Sequence, residues 1–194
     1  MTKARANEGV TIMFLRTERL FLRPAWLEDA PELTRAIGQE RVVRMLANAP
    51  WPCREEHART WIESPRDLRC PSLLVTLPEA GGRIVGGCGL HAKEGQTEVG
   101  YWIEPAHWGR GYATEALRGL LSLARLAGHR SLVGRHAVDN AASGRVLRKA
   151  DFRPTGRASA IHSLGRNAQV EAPEYALDLA EADGPQDAPV RKAA

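Results

Sequence analysis

A chain of 194 residues, 43% hydrophobic and 26% charged, has room for one domain with a real apolar core and lies far from the composition of disorder. Its net charge of +4 comes from 27 basic and 23 acidic side chains scattered along the chain, which argues against a nucleic-acid stripe and suits an anionic small ligand such as a 3′-phosphorylated nucleotide. No apolar run approaches the roughly 20 residues of a membrane span and the N-terminal segment has no apolar stretch of the secretory kind, so a cytoplasmic protein with neither membrane nor nucleic-acid partners is expected.

Residues 1–13 carry no sustained period and residues 181–194 are rich in Ala, Asp, Pro and charge. Both read as tails around a single domain spanning 14–180. Leu15–Arg23 reads as a first strand closed by Pro24. Leu27–Ile37 and Glu40–Leu46 place apolar residues at helical spacing, and Arg54–Glu63 repeats the pattern after the Pro50-Trp51-Pro52 break. Ser72–Leu77 and Arg83–Leu90 are β-rich runs joined by the turn composition Pro78-Glu79-Ala80-Gly81-Gly82, a hairpin. Glu98–Ile103 alternates, with Val99, Tyr101 and Ile103 on one face and Glu98, Gly100 and Trp102 on the other. Ala113, Ala116, Leu117, Leu120, Leu121 and Ala124 then define an amphipathic helix running to about Gly128. Ser131–His136 is a short strand, Ala141–Lys149 a helix, Phe152–Gly156 a strand start and Pro173–Leu179 a last strand. The order is mixed α/β without internal repeat. Cys53, Cys70 and Cys88 are too few and too widely spaced for a zinc site and read as free thiols.

The strand-turn-helix passage at residues 101–114 is an arrangement that binds phosphate. The first N–H groups of a helix lack partners within it, and the positive end of its dipole faces the anion. Gly109 and Gly111 let the main chain approach a ligand without a Cβ in the way, and Ala113 adds only a methyl. The third glycine of a dinucleotide fingerprint is missing, and no Gly-Lys-Ser/Thr of a Walker loop occurs. The alternative on this fragment alone is that the glycines serve only to shape a surface turn. Asn140 and Ser143, three apart at a helix start, likewise suit a simple N-cap.

Thr97-Glu98-Val99-Gly100-Tyr101-Trp102-Ile103 followed by Trp108-Gly109-Arg110-Gly111-Tyr112-Ala113-Thr114-Glu115-Ala116 resembles the central motif of the Gcn5-related N-acetyltransferases (GNAT), in particular the RimJ/RimL-type branch that acetylates ribosomal protein N-termini. The resemblance continues through Asp139-Asn140-Ala141-Ala142-Ser143 and Val146-Leu147-Arg148-Lys149 and covers roughly residues 15–180. It implies a GNAT fold: one domain whose central, mostly antiparallel sheet is flanked by helices and splayed at one parallel strand pair, Tyr101–Ile103 against Ser131–His136, with acetyl-CoA in the gap and no metal. By the same resemblance Trp108, Gly109, Arg110, Gly111, Tyr112, Ala113 and Thr114 cradle the pyrophosphate, although Trp108 stands where the family usually has Gln or Arg. Tyr101, Trp102 and Ile103 pair with the pantetheine arm, Asn140 bonds that arm, and Ser143 lies near the sulfur and protonates the departing thiolate.

Amine acetylation by direct attack in a ternary complex needs a neutral amine, a polarised thioester carbonyl and a proton for the thiolate. A main-chain N–H near Trp102 or Ile103 would polarise the carbonyl. Glu98 and His162 are the expected proton acceptors beside Ser143, His162 falling between the last two strands near the place of a family glutamate, with His91 or a water chain as alternatives. Trp26, Trp51, Trp61 and Trp102 suit either an acceptor pocket or the core. The acceptor implied is a primary amine, a protein N-terminus or a small molecule, and the assembly a monomer or homodimer. The alternatives are a non-catalytic acyl-CoA-binding sensor and a nucleic-acid binder. Lys149-Ala150-Asp151-Phe152 replaces the family's usual Lys-x-Gly-Phe, putting Asp151 where a helix often ends in a left-handed glycine.

Overall fold

The computed structural model describes residues 13–65, 67–93 and 95–180; apart from Met13, the two expected tails lie outside them. An eight-stranded sheet runs in the order β1-β2-β3-β4-β5-β6-β8-β7, with β1 Leu15–Arg16, β2 Phe21–Arg23, β3 Ser72–Leu77, β4 Arg83–Lys93, β5 Gln96–Ile103, β6 Ser131–Arg135, β7 Arg153–Ser163 and β8 Ala168–Asp178. Every neighbouring pair is antiparallel except β5 and β6. This is the mixed α/β arrangement with one parallel pair that the resemblance implies.

Helices cover both faces. The longest, α4 (Tyr112–Leu126), buries Ala116, Leu117, Leu120, Leu121 and Ala124, the stripe read from its 3.6-residue period. These side chains join Leu22, Val75, Val85, Leu90, Val99 and Leu132 from the sheet, together with Leu147 of α5 (Ala141–Lys149) and Phe152, in the main core. Each fully buried leucine there contributes on the order of 2 kcal/mol. Gly119 lets the β1–β2 end press onto α4, since a Cβ there would come within 2.9 Å of Leu15 Cδ2. On the other face, α1 (Ala30–Ile37) and α3 (Glu55–Glu63) pack Ala30, Leu33, Ala36 and Ala58 against Leu74 and Ile84. The short α2 (Glu40–Val43) lies between them in the chain. Among the described residues no helix is long and apolar enough to cross a membrane.

Two sequence expectations need correction. The single strand Leu15–Arg23 is a hairpin of two short strands, because Thr17 turns the chain: its N–H donates to Leu20 O (2.9 Å) and its hydroxyl accepts from Leu20 N–H (3.1 Å). The last two strands are far longer than their apolar runs, reaching 11 residues each. Most β7 side chains face solvent, so no alternation marks its length. His162 therefore lies within β7, not between strands.

Candidate active site

The parallel pair parts early. β5 is matched to β4 along all eight residues, Gln96 to Ile103, but to β6 only at Glu98↔Val133 and Val99↔Gly134. Beyond that vertex, Gly100–Ile103 runs on without a ladder partner on its β6 side. Glu104 N–H donates to Val85 O, so strand alternation turns the main-chain groups of Trp102 toward β4 and those of Tyr101 and Ile103 toward the gap. The Trp108 indole occupies Ile103 O (2.6 Å). This bond ties the turn to the strand end and gives the aromatic at position 108 a structural reason. The Trp102 side chain packs beside the Leu33 cluster on the opposite face.

The turn after β5 is shaped by two left-handed glycines, Gly109 (φ 75°) and Gly111 (φ 81°), the second being the N-cap of α4. Ala113 and Thr114 follow in the first helical turn, where N–H groups lack helical partners. Arg110 is exposed, and the Arg41 guanidinium lies 5.2 Å from the centre of the Trp108 ring. The turn is braced from β1–β2 in a way the sequence did not announce. Arg19 donates to Arg110 O (3.0 Å) and to Glu115 (2.7 Å), while Thr17 Oγ1 (2.6 Å) and Arg19 N–H (2.8 Å) also donate to Glu115. Burial pushes the Glu115 carboxyl up, but these donors outweigh it and hold its pKa below the ordinary value. These partners lie 91 to 98 residues apart in the chain, so no local pattern could have revealed them.

On the α5 side of the gap, Asn140 caps the helix by accepting from Ser143 N–H (3.2 Å). The Tyr101 hydroxyl lies 2.8 Å from Ser143 Oγ and 3.0 Å from Ser143 O. Burial raises the phenol pKa well above its usual value, with the Ser143 hydrogen bond working against it. A neutral phenol has one proton to give. With that proton given to Ser143 O, the Tyr101 oxygen is left to accept from Ser143 Oγ, so the phenol holds the serine hydroxyl at the edge of the gap. The structure thus joins Tyr101, Asn140 and Ser143; all three were singled out from sequence, but Tyr101 for its main chain and not for its hydroxyl.

The opposite face of the vertex carries charge. Arg135, at the end of β6, donates to Glu98 (2.8 Å), to Gln96 (3.1 Å) and to Glu174 of β8, and Arg157 of β7 donates to Glu174 (2.6 Å). Glu174 is buried and Arg135 nearly so, and Arg135 Nε has no partner among the described residues. His91, opposite Glu98 in the β4–β5 register, reaches over Gly100. His162 is exposed on β7 opposite Gln169. That position is five residues along β8 from Glu174, about 17 Å of extended strand, so the structure does not bring it to Glu98. Of the other tryptophans, Trp61 joins the α1–α3 cluster while Trp26 and Trp51 are exposed.

The sequence matches the family model for an acetyltransferase (GNAT) domain over residues 19–153. It is 30% identical over 113 residues to the uncharacterized N-acetyltransferase p20 of Bacillus licheniformis, a match covering 55% of this chain and 63%, under two thirds, of that protein. It is 29% identical over 161 residues to the uncharacterized N-acetyltransferase YoaA of Bacillus subtilis, covering 73% and 84% of the two chains. Among solved structures, Mycobacterium smegmatis RimJ in complex with CoA-disulfide superposes with a TM-score of 0.70 at 19% identity, covering 89% of each chain.

Proposed function

Since the chain belongs to the GNAT acetyltransferase family, we propose that it transfers the acetyl group of acetyl-CoA to a primary amine, either a protein N-terminus or a small-molecule amine. The observation that carries this reading is the parted β5–β6 pair with the Tyr101–Ser143 hydroxyls on one of its faces. Acetyl-CoA would supply an activated acyl carbon on a good leaving group. The residues present fit it. Gly109 and Gly111 expose the main chain at the start of a 15-residue helix whose dipole favours a pyrophosphate, with Trp108, Arg110, Tyr112, Ala113 and Thr114 completing the cradle.

Tyr101 and Ile103 turn main-chain groups to the gap, where a pantetheine amide can replace the missing strand and an N–H can polarise a carbonyl. Trp102 contributes there only as the residue between them. Asn140 sets the start of α5 and so the place of Ser143. Ser143 Oγ donates a proton to the leaving sulfur, and Tyr101 orients it. Glu98 lies on the other face of the sheet, where an amine would approach; His162 stands farther along toward the hairpin end. RimJ in its CoA-disulfide complex shares this fold.

The test is an acceptor screen with unblocked peptides, polyamines and aminoglycosides, read by release of free thiol and by mass increase of the acceptor. Thiol release stoichiometric with acetylated amine is expected. Acetyl-CoA binding without turnover on any acceptor would favour the acyl-CoA sensor instead, and no binding at all would sink both.

A further inference from the structure

The two faces of the sheet at the β5–β6 vertex carry different chemistry. The α5 face holds the hydroxyl pair Tyr101–Ser143, and the other holds His91, Glu98 and Arg135. Resting on the acetyl-transfer reading above, we propose that His91 is the group that accepts the amine proton, with Gly100 leaving room for its imidazole at the vertex and the Glu98 carboxylate on the same face.

Register and space both point to it. His91 and Glu98 are direct partners across β4 and β5, so their side chains leave the same face. The ring leans from there over Gly100: a Cβ built on Gly100 would lie 3.0 Å from His91 Nε2 and 3.4 Å from Cδ2. Gly100 is the first β5 residue past the last pair with β6, so the imidazole sits beside the point where the strands part. Any side chain at 100 would displace it.

The competing carboxylate is engaged. Glu98 Oε2 accepts from Arg135 Nη1 at 2.8 Å, and Arg135 is held in turn by Gln96 and Glu174. His91, by contrast, has no hydrogen-bond partner on either ring nitrogen among the described residues, and it is exposed. The protein packed around the ring lowers its pKa from the ordinary value, and the Glu98 carboxylate works against that shift. A neutral imidazole at pH 7 is the form that can take a proton. Glu98 is the charged group facing it, and Arg135 reaches it through Glu98.

The amine lone pair forms the new C–N bond at the acyl carbon and the C–S bond breaks. The proton shed by nitrogen passes to His91, the sulfur takes one from Ser143 Oγ, and the solvent exchanges one proton with each side to restore both. Acid and base thus act from opposite faces of one sheet, so neither competes for the other's proton.

The test uses the full chain in two arms. In the first, acetyl transfer to an unblocked serine-terminated hexapeptide at millimolar concentration is followed from pH 5 to 9 for wild type, His91→Gln, Glu98→Gln and His162→Gln. His91→Gln should lower the rate at least roughly 100-fold and abolish the acidic limb, with acetyl-CoA affinity kept within a few-fold. If it keeps the rate and the limb, or if His162→Gln or Glu98→Gln abolishes the limb instead, His91 is not the base. In the second arm, the His91 ring resonance is titrated by NMR with and without acetyl-CoA, which decides without turnover. It should titrate below about 6.5, move lower in Glu98→Gln, and shift when acetyl-CoA is added. An ordinary titration unmoved by acetyl-CoA overturns the proposal, whereas a wild type that binds no acetyl-CoA overturns the underlying function.

Discussion

The turn that opens α4 and the side chains that flank the gap, which the proposed function sets against one ligand, are built at different ranges along the chain. The turn uses consecutive residues, 108 to 114, and its working groups are main-chain N–H groups exposed by two glycines with positive φ. The flanks use side chains brought from distant strands: Tyr101 with Ser143, 42 residues on, and Glu98, Arg135, Glu174 and Arg157 from β5, β6, β8 and β7. A main-chain site depends on backbone conformation, which a few residues decide. A side-chain site depends on strand register, which the whole sheet decides.

The sharpest break between the two regions is kinetic. Ser143→Ala removes the hydroxyl while keeping the Asn140 cap, because Asn140 accepts from the Ser143 main-chain N–H. A positioned acid contributes roughly 100- to 10,000-fold, and only the transition state uses that proton. Turnover should fall by this factor with acetyl-CoA affinity within a few-fold, measured by thiol release and calorimetry. A loss under about tenfold would leave Ser143 as a capping-region residue and the turn as the main contributor.

Next in size is a stability test of the register-built flank. Glu174 is buried with Arg135, and deleting one member of a buried pair costs about 3 kcal/mol or more because the other charge is stranded. Arg135 keeps Glu98 and so is not fully stranded, and Glu174→Gln should lower unfolding free energy at pH 7 by about 1.5 to 3 kcal/mol, the worth of a hydrogen bond to a charged group, in a denaturant titration. The pH dependence has a definite sign. Burial pushes the Glu174 carboxyl up, but Arg157 and Arg135 outweigh it and hold its folded pKa below the ordinary value. Its contribution is therefore complete above the unfolded pKa of about 4.3 and is lost as pH falls through the folded value. The variant should lack this part of the acid sensitivity. Equal acid profiles for the two proteins would mean that the row is spread over neighbours that compensate.

These ranges also explain what could be read in advance. α4, α5 and the β3–β4 hairpin were legible because their signals are local: a 3.6-residue stripe, a capping Asn140 and the Pro78–Gly82 turn. The two left-handed glycines of the turn before α4 were legible for the same reason. The Thr17 turn was masked by alternation on both sides of it, and β7 hid because most of its side chains meet solvent. The Arg19 brace, the Tyr101 hydroxyl and the Arg135 hub exist only once strands are in register. His162 shows the limit from the other side, since a residue type at a suggestive place in the chain stands on an exposed strand.

A smaller effect tests the main-chain region by itself. Gly111→Val meets no clash, as the nearest atom to a new Cβ is Arg19 Nη2 in ordinary contact at 3.5 Å. The cost is instead backbone conformation at φ 81°, roughly 1 to 2 kcal/mol for an L-residue, and a branched side chain beside the phosphate approach. Acetyl-CoA should bind at least roughly tenfold more weakly, ~1.4 kcal/mol, and cease to raise the melting temperature while the fold persists. Wild-type affinity by calorimetry would mean that the anion sits elsewhere.

The smallest effect asks whether a main-chain device can be improved where the chain departs from glycine. α5 ends with Asp151 N–H donating to Arg148 O and Phe152 N–H to Leu147 O, both 3.1 Å, which is the paired bond pattern of a helix closed by a left-handed residue. Asp151 holds that conformation at φ 67°, exposed, with its charge at the negative end of the helix dipole. An L-residue costs roughly 1 to 2 kcal/mol there, while glycine gives back about 0.4 to 1 kcal/mol through the freedom of the unfolded chain. The backbone strain wins, because the buried Phe152 and Leu147 contact fixes the exit whatever residue stands at 151. Asp151→Gly should therefore stabilise the domain by roughly 0.5 to 1 kcal/mol, a rise of about 1 to 4 °C in melting temperature for a domain of this size. A lower denaturation midpoint would show that the Asp151 carboxylate makes a contact in solution that outweighs the strain, and that this exit is held by a side chain after all.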